Sequence, residues 1–314
     1  MTLLDVQGLN VRFPTGDGEV HASRDVSFSL DTGEVLGLVG ETGSGKSVIG
    51  QAVIKILPSN AEVTGEITFD GKNLNSLSDK AMHHLRGRSI SLVPQNPSGS
   101  LDPVTRNGEQ ISEVVGDHCK NRNEIVTRVH ALLSSVGLVP AARIAEEFPH
   151  QLSGGMRQRL TTSIAVSEKP RLIIADEPTK GLDFRARAMT ATVLSDVQKQ
   201  NECSLLLITH DLDLAEMLCA RIAVIYAGEI VEIAPVSRIF SSPRHPYTRA
   251  LIQAIPKNGL IPIAGQSPSL LDLPAGCSFA DRCEYCSDVC RMKHPDLLNE
   301  SIIGGVRCHH PFSN

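Results

Sequence analysis

The chain has 314 residues, eight cysteines, no tryptophan and a formal net charge of −5. That length allows one large domain plus a smaller one, or two of ordinary size, and the acidic balance argues against a general nucleic-acid binder. With no run of about 18 apolar residues the chain is not expected to cross a membrane by itself. The start, Met1-Thr2-Leu3-Leu4-Asp5, lacks the basic and apolar regions of a secretory signal, so a cytosolic protein is expected.

Residues 3–12 and 20–30 alternate apolar and polar (Leu4, Val6, Leu9, Val11, then Val26, Phe28, Leu30) around a Gly- and Asp-rich loop, which predicts an antiparallel hairpin. Phe13 ends the first strand, either as an aromatic that stacks on adenine or as an ordinary strand-end core residue. The short apolar run Glu34–Val39 predicts a buried strand. It leads into Gly40-Glu41-Thr42-Gly43-Ser44-Gly45-Lys46-Ser47, which fits G-x-x-x-x-G-K-[ST] without a mismatch, and Val48–Ile54 continues with helical spacing. Strand, loop and helix in that order give the motif its physical context. Glycines at 40, 43 and 45 let successive N–H groups converge on phosphate oxygens, and the helix that begins near Lys46 points its positive end at the same anion. Lys46 is expected to reach the β- and γ-phosphates of ATP and the Ser47 hydroxyl to bind Mg²⁺.

Further strands are predicted over 65–71 and 89–94, the second delivering Gln95 to a loop. Gln95 is a candidate ligand to Mg²⁺ or to the attacking water, or else a solvated strand end. Residues 108–147 carry apolar positions at three- and four-residue steps and are expected to be mostly helical, with Gly137 as a stop. Ser153 then precedes Gly154 and Gly155 as a helix N-cap whose bared N–H groups form a second anion-binding end. One nucleotide already has its phosphates held at 40–47, so this second grip suits a nucleotide held by another subunit; the alternative is a capped surface helix. The apolar strand Arg171–Ala175 ends in two acids. Strand alternation puts Asp176 and Glu177 on opposite sides, Asp176 to support Mg²⁺ and Glu177 to polarise water as a general base. Another buried strand, Ser204–Thr209, ends at His210, which either contacts a γ-phosphate or lies on the surface.

Of the cysteines, Cys119, Cys203 and Cys219 are scattered, whereas Cys277, Cys283, Cys286, Cys290 and Cys308 crowd into the C-terminal part. In a reducing compartment such crowding favours a metal site over disulfides.

The order of phosphate loop, Gln95, Leu152-Ser153-Gly154-Gly155-Met156, Leu172–Thr179, Leu182-Asp183 and Thr209-His210-Asp211 resembles the nucleotide-binding subunit of an ATP-binding-cassette (ABC) transporter. The resemblance implies an α/β, P-loop NTPase ABC-ATPase fold over residues 1–233, with a RecA-like core, an antiparallel β subdomain and a helical subdomain at about 96–160. It also implies a head-to-tail dimer closing over two ATP molecules. Each nucleotide would lie against Phe13, Gly40, Glu41, Thr42, Gly43, Ser44, Gly45, Lys46, Ser47 and Val48 of one subunit and Ser153, Gly154, Gly155 and Asp183 of the other. By the same carry-over Glu177 is the base, His210 the γ-phosphate sensor, Lys46 a catalytic cation, and Ser47, Gln95 and Asp176 the Mg²⁺ set. Lys180-Gly181 stands where the family has a small pair.

Residues 234–314 are expected to form a small Cys-rich extension. Within it, Ser242–Leu251, with His245-Pro246-Tyr247-Thr248, resembles the segment that follows the cassette in oligopeptide, dipeptide and nickel importers. In some relatives four matching cysteines bind a [4Fe–4S] cluster. Here Cys277, Cys283, Cys290 and Cys308 are separated by five, six and seventeen residues, with Cys286 an extra thiol; Zn²⁺ in a four-sulfur site is the alternative. The resemblance thus implies the ATPase subunit of a peptide importer, peripheral on the cytoplasmic face of the membrane. Its partners would be a second ABC ATPase subunit, two transmembrane permeases and an extracytoplasmic solute-binding protein, with no nucleic acid. Import of nickel or another metal chelate is the alternative cargo. A soluble, non-transport cassette is disfavoured because such proteins often fuse two cassettes or carry a coiled-coil insertion, and neither is present.

Overall fold

The computed structural model describes residues 1–116, 119, 121–300 and 304–313. The N-terminal half runs β1 (Thr2–Thr15), β2 (Gly18–Asp31), β3 (Val35–Val39), α1 (Lys46–Val53), β4 (Glu62–Phe69), β5 (Lys72–Asn73), α2 (Asp79–Leu85) and β6 (Ile90–Val93). The helical stretch follows as α3 (Pro97–Ser100), α4 (Asn107–Val115), α5 (Arg122–Ser135), α6 (Ala141–Glu146) and α7 (Gly154–Ala165). Then come β7 (Leu172–Asp176), α8 (Phe184–Asn201), β8 (Ser204–Thr209), α9 (Leu212–Leu218), β9 (Arg221–Tyr226) and β10 (Glu229–Pro235). The tail forms α10 (Val236–Ser241), α11 (Pro246–Gln253), α12 (Asp288–Met292), β11 (Leu298–Glu300) and β12 (Gly304–Val306). No helix among the described residues is long and apolar enough to cross a membrane.

The chain divides into two compact units. The first takes Met1–Asp31, Val35–Leu77 and Leu207–Asn314. In it the predicted hairpin forms, extended by two strands into an antiparallel sheet of order β2-β1-β4-β5. The alternation that predicts it is the alternation that buries it: Leu4, Val6, Leu9 and Val11 of β1 are all inside. The same unit holds a second run of strands, β11-β12-β10-β9-β3-β8, in which β8 contributes Leu207–Thr209. Every residue of β3 is buried and β3 pairs in parallel with β9, as expected of a strand with no polar alternation. The tail is zipped onto this sheet: Glu232 and Ile233 of β10 pair with Val306 and Gly305 of β12. The expected junction at 233/234 therefore falls inside β10.

The second unit, Thr32–Glu34 with Ser78–Leu206, contains the run β8-β7-β6, β8 contributing Ser204–Leu206, and the helices α2 to α8. β6 and β7 are parallel and β7 is buried throughout. The stretch 108–147 resolves into α4, α5 and α6. Gly137, at φ 70°, lies just past the end of α5, where a left-handed residue ends a helix at no Cβ penalty.

Candidate functional site

The phosphate-loop motif forms between β3 and α1, and two of its glycines are required by the backbone around them. Gly45, the N-cap of α1, has φ 94°, and a Cβ there would lie 1.9 Å from the Ala22 carbonyl oxygen. A Cβ on Gly40 would lie 2.1 Å from the carbonyl oxygen of Ile225. The Gly228 N–H donates to the Ser44 carbonyl at 3.1 Å. The loop is thus clamped by backbone from β2, β9 and the turn after β9. Lys46 is only 5% exposed and closes the ring: its Nζ donates to the carbonyls of Gly40 (2.9 Å) and Glu41 (2.7 Å) and to Ser44 Oγ (3.3 Å). Thr42 and Gly43 at the rim are exposed.

Glu41 is held from three directions. Its N–H donates to Tyr247 Oη at 3.2 Å; its carboxylate accepts from Arg282 Nη1 and Nη2, both at 3.1 Å, and from Ser267 Oγ at 2.5 Å. Burial alone would raise this carboxyl, but the Arg282 and Ser267 hydrogen bonds outweigh it and hold Glu41 below its usual value. Arg282 and Ser267 escaped sequence reasoning, and Tyr247 drew notice only as part of a tail motif. They lie 206 to 241 residues beyond Glu41, a separation that leaves no local signal.

In the same unit His210 is exposed at the end of β8, and Phe13 is half-buried in β1 opposite Val20. The Leu205 N–H donates to the Glu34 carbonyl at 2.9 Å, so β3 and β8 start level. Gly40 and His210 therefore leave the sheet along one edge.

In the second unit Val93 pairs with Ala175, and two residues further on Gln95 and Glu177 likewise emerge from one edge. Asp176 and Glu177 are each 6% exposed. Asp176 is the last residue of β7, while Glu177 turns out of the strand with φ 46°. The strand alternation expected to part these two acids thus ends at Asp176, and Glu177 sits in a left-handed turn. For a residue with a side chain this conformation costs about 1–3 kcal/mol, the kind of strain found where a group must be aimed. Its carbonyl accepts from the Lys180 N–H at 3.1 Å, which closes the turn.

Ser153 caps α7 as expected, its Oγ accepting from the Met156 N–H at 3.3 Å. The α7 start packs on the segment that follows β7: Gly154 faces Leu182, and a Cβ on Gly155 would meet the Ala186 Cβ at 3.0 Å. Asp183 is the N-cap of α8, accepting from the Ala186 N–H at 2.9 Å. Ser153 and Asp183 are both exposed, whereas Gly155 between them is buried.

Cys277, Cys283, Cys290 and Cys308 line a single small pocket, and Cys286 is not among its lining residues. Cys277, Cys283 and Cys308 each hydrogen-bond the backbone of the residue two further on, Phe279, Tyr285 and His310, an interaction that favours thiolate. Burial nevertheless dominates and pushes Cys277 up to about 12 and Cys308 up to about 11, so a metal would have to displace protons. The thiol set suits a sulfur-ligated group. Yet among the described residues no three His, Cys, Asp or Glu side chains stand where they could hold a metal ion. Two of the sulfurs also have local partners: Cys308 Sγ accepts from the His310 N–H, and Cys290 Sγ lies 3.6 Å from Ser287 Oγ.

Comparison with known proteins agrees with this geometry. The ABC transporter family profile matches residues 23–180, and the profile of the oligopeptide/dipeptide transporter C-terminal region matches 231–290. The oligopeptide transport ATP-binding protein OppD of Bacillus subtilis is 41% identical over 95% of this chain and 86% of its own length. The dipeptide transport ATP-binding protein DppD of the same organism is 40% identical over 98% and 94%. Among solved structures, the dimeric post-hydrolysis state of the ATP-binding cassette MJ0796 bound to ADP and Pi superposes with a TM-score of 0.66 at 24% identity, over 74% of this chain and 99% of that one. That last likeness is one of fold.

Proposed function

We propose, from the premise that this chain belongs to the ABC transporter family and carries its oligopeptide/dipeptide-transporter C-terminal region, that it is the ATP-hydrolysing subunit of an importer for di- and oligopeptides. The observation that carries this reading is the clamped phosphate loop, with Lys46 drawn across its mouth, in a chain whose tail continues as it does in peptide-transport relatives.

The chemistry is phosphoryl transfer to water. Lys46 and the loop N–H groups bind the β- and γ-phosphates and counter the charge that builds on the transferring group. Phe13 stacks on the adenine. The oxygen donors Ser47, Gln95 and Asp176 suit Mg²⁺, which when bound neutralises phosphate charge. Glu177 accepts a proton from the attacking water, and His210 contacts the γ-phosphate. Ser153 and Asp183 are exposed, and with Gly154 and Gly155 they serve the nucleotide of a second, facing cassette, identical or homologous. Closure and reopening of that pair act on two permease subunits fed by an extracytoplasmic solute-binding protein, with the chain peripheral on the cytoplasmic face.

In proteoliposomes that combine this chain with its permeases and binding protein, short peptides are expected to stimulate ATP hydrolysis and to accumulate inside. Stimulation by nickel chelates but not by peptides would move the cargo to the metal alternative; hydrolysis indifferent to the permeases would remove transport altogether.

The four-thiol pocket is read as the ligand set of a [4Fe–4S] cluster, with Zn²⁺ as the alternative; the convergence of Cys277, Cys283, Cys290 and Cys308 and the hydrogen bonds to three of their sulfurs support it. Protein purified without oxygen is expected to be brown and to contain iron and acid-labile sulfide in equal amounts. Zinc without sulfide would favour the alternative, and neither metal would leave four free thiols.

A further inference from the structure

Arg282 belongs to the Cys-rich extension yet its guanidinium lies on the phosphate loop. It occupies a one-turn 3₁₀ segment, Ala280–Arg282, closed by the Cys283 N–H donating to the Ala280 carbonyl at 3.2 Å. Its side chain is 6% exposed. The guanidinium is placed by a cluster of rings: it lies 5.7 Å from the Tyr226 ring centre and 5.8 Å from that of Phe279, while Tyr226, Tyr247 and Phe279 pack with centroids 4.5–5.4 Å apart. It also donates to Tyr226 Oη at 3.2 Å and Ser267 Oγ at 3.0 Å. So aimed, it meets both carboxylate oxygens of Glu41 as a fork. Glu41 is the second residue of the phosphate loop, and its own carbonyl accepts from the Lys46 ammonium at 2.7 Å. A chain of direct contacts therefore runs from the extension through Arg282 and Glu41 to the lysine that must reach the phosphates.

We propose that Arg282 is a positioning residue for ATP, through which the Cys-rich extension sets the conformation of the phosphate loop. It touches no phosphate. By fixing Glu41, together with Ser267 and the Tyr247 hydroxyl, it holds the Gly40–Glu41 carbonyls and hence the starting position of Lys46. The inference rests on the phosphate loop binding ATP but not on the identity of the cargo.

The test is nucleotide affinity of the full-length chain, read with a fluorescent ATP analogue, alongside kcat and KM for ATP. Arg282→Ala is expected to weaken binding and raise KM about tenfold, the scale of a lost charge-assisted hydrogen-bond pair, with kcat changed less than KM because Glu177 and His210 make no part of this contact chain. Arg282→Lys keeps the charge but not the fork and should fall between. Glu41→Gln, which leaves the extension and its aromatic cluster intact, should reproduce the loss, and the double variant should be no weaker than either single. Wild-type affinity in Glu41→Gln, or losses that add in the double variant, would overturn the proposal. This holds even if Arg282→Ala itself folds poorly.

Discussion

Glu177→Gln is expected to lower ATP turnover about a hundredfold to ten-thousandfold, the usual share of a positioned general base, while ATP still binds. The substitution exchanges one carboxylate oxygen for an amide nitrogen of nearly the same size. The 6% exposed site and the left-handed backbone that aims it are therefore kept, and only the ability to take a proton is lost. The phosphate loop lies elsewhere in the sequence and retains every contact described for Lys46. With hydrolysis blocked and binding intact, the nucleotide-sandwiched pair should accumulate. Sedimentation of the variant with MgATP should show a dimer, and a phosphate-release assay the loss of turnover. Unchanged turnover would remove Glu177 from the base role.

Gly45→Ala is expected to lower nucleotide affinity by at least about a hundredfold and stability by about 2 kcal/mol. Two penalties coincide at this residue. The φ of 94° is one that a side chain resists, and the new methyl would stand 1.9 Å from the Ala22 carbonyl oxygen. That oxygen is backbone in the middle of β2 and cannot swing aside as a side chain can, so the loop itself must move, and its N–H groups lose their common focus. Gly43→Ala is the control: its φ of 83° is equally unfavourable, but nothing lies within 4 Å of the added Cβ. Its effect should therefore be confined to backbone strain of about 1 kcal/mol. Thermal unfolding and analogue binding on the pair separate the two terms. If both variants bind alike, the clamp between loop and β2 is not what shapes the site.

Much of this molecule is readable along the chain because its physics is local. The alternation of Leu4, Val6, Leu9 and Val11 builds β1. The unbroken apolar runs build β3, β7 and β8, which are fully buried. Ser153 and the two glycines after it define a capped helix start. Each depends on contacts a few residues apart, and each formed where expected. The two compact units were less legible: the grouping of Met1–Leu77, apart from Thr32–Glu34, with Leu207–Asn314 follows from strand pairing across the whole chain, and a linear pattern of apolar residues does not encode which strand lies beside which. The tail read as an appended extension, but β12 completes the edge of β10, because an unpaired strand edge in that position is satisfied by whatever backbone reaches it.

The amino-acid order alone determined the phosphate loop, the acidic strand end, the helix cap and the thiol group, since each is a short pattern whose chemistry follows from residue type and spacing. Only the tertiary structure decided that Arg282 closes on Glu41, that Ala22 and Ile225 forbid side chains at Gly45 and Gly40, and that Glu177 is aimed by a left-handed turn. The reason is one of distance. Contacts between residues tens to hundreds of positions apart are set by how the strands pair and how the aromatic rings pack around them, and no stretch of sequence carries that information by itself.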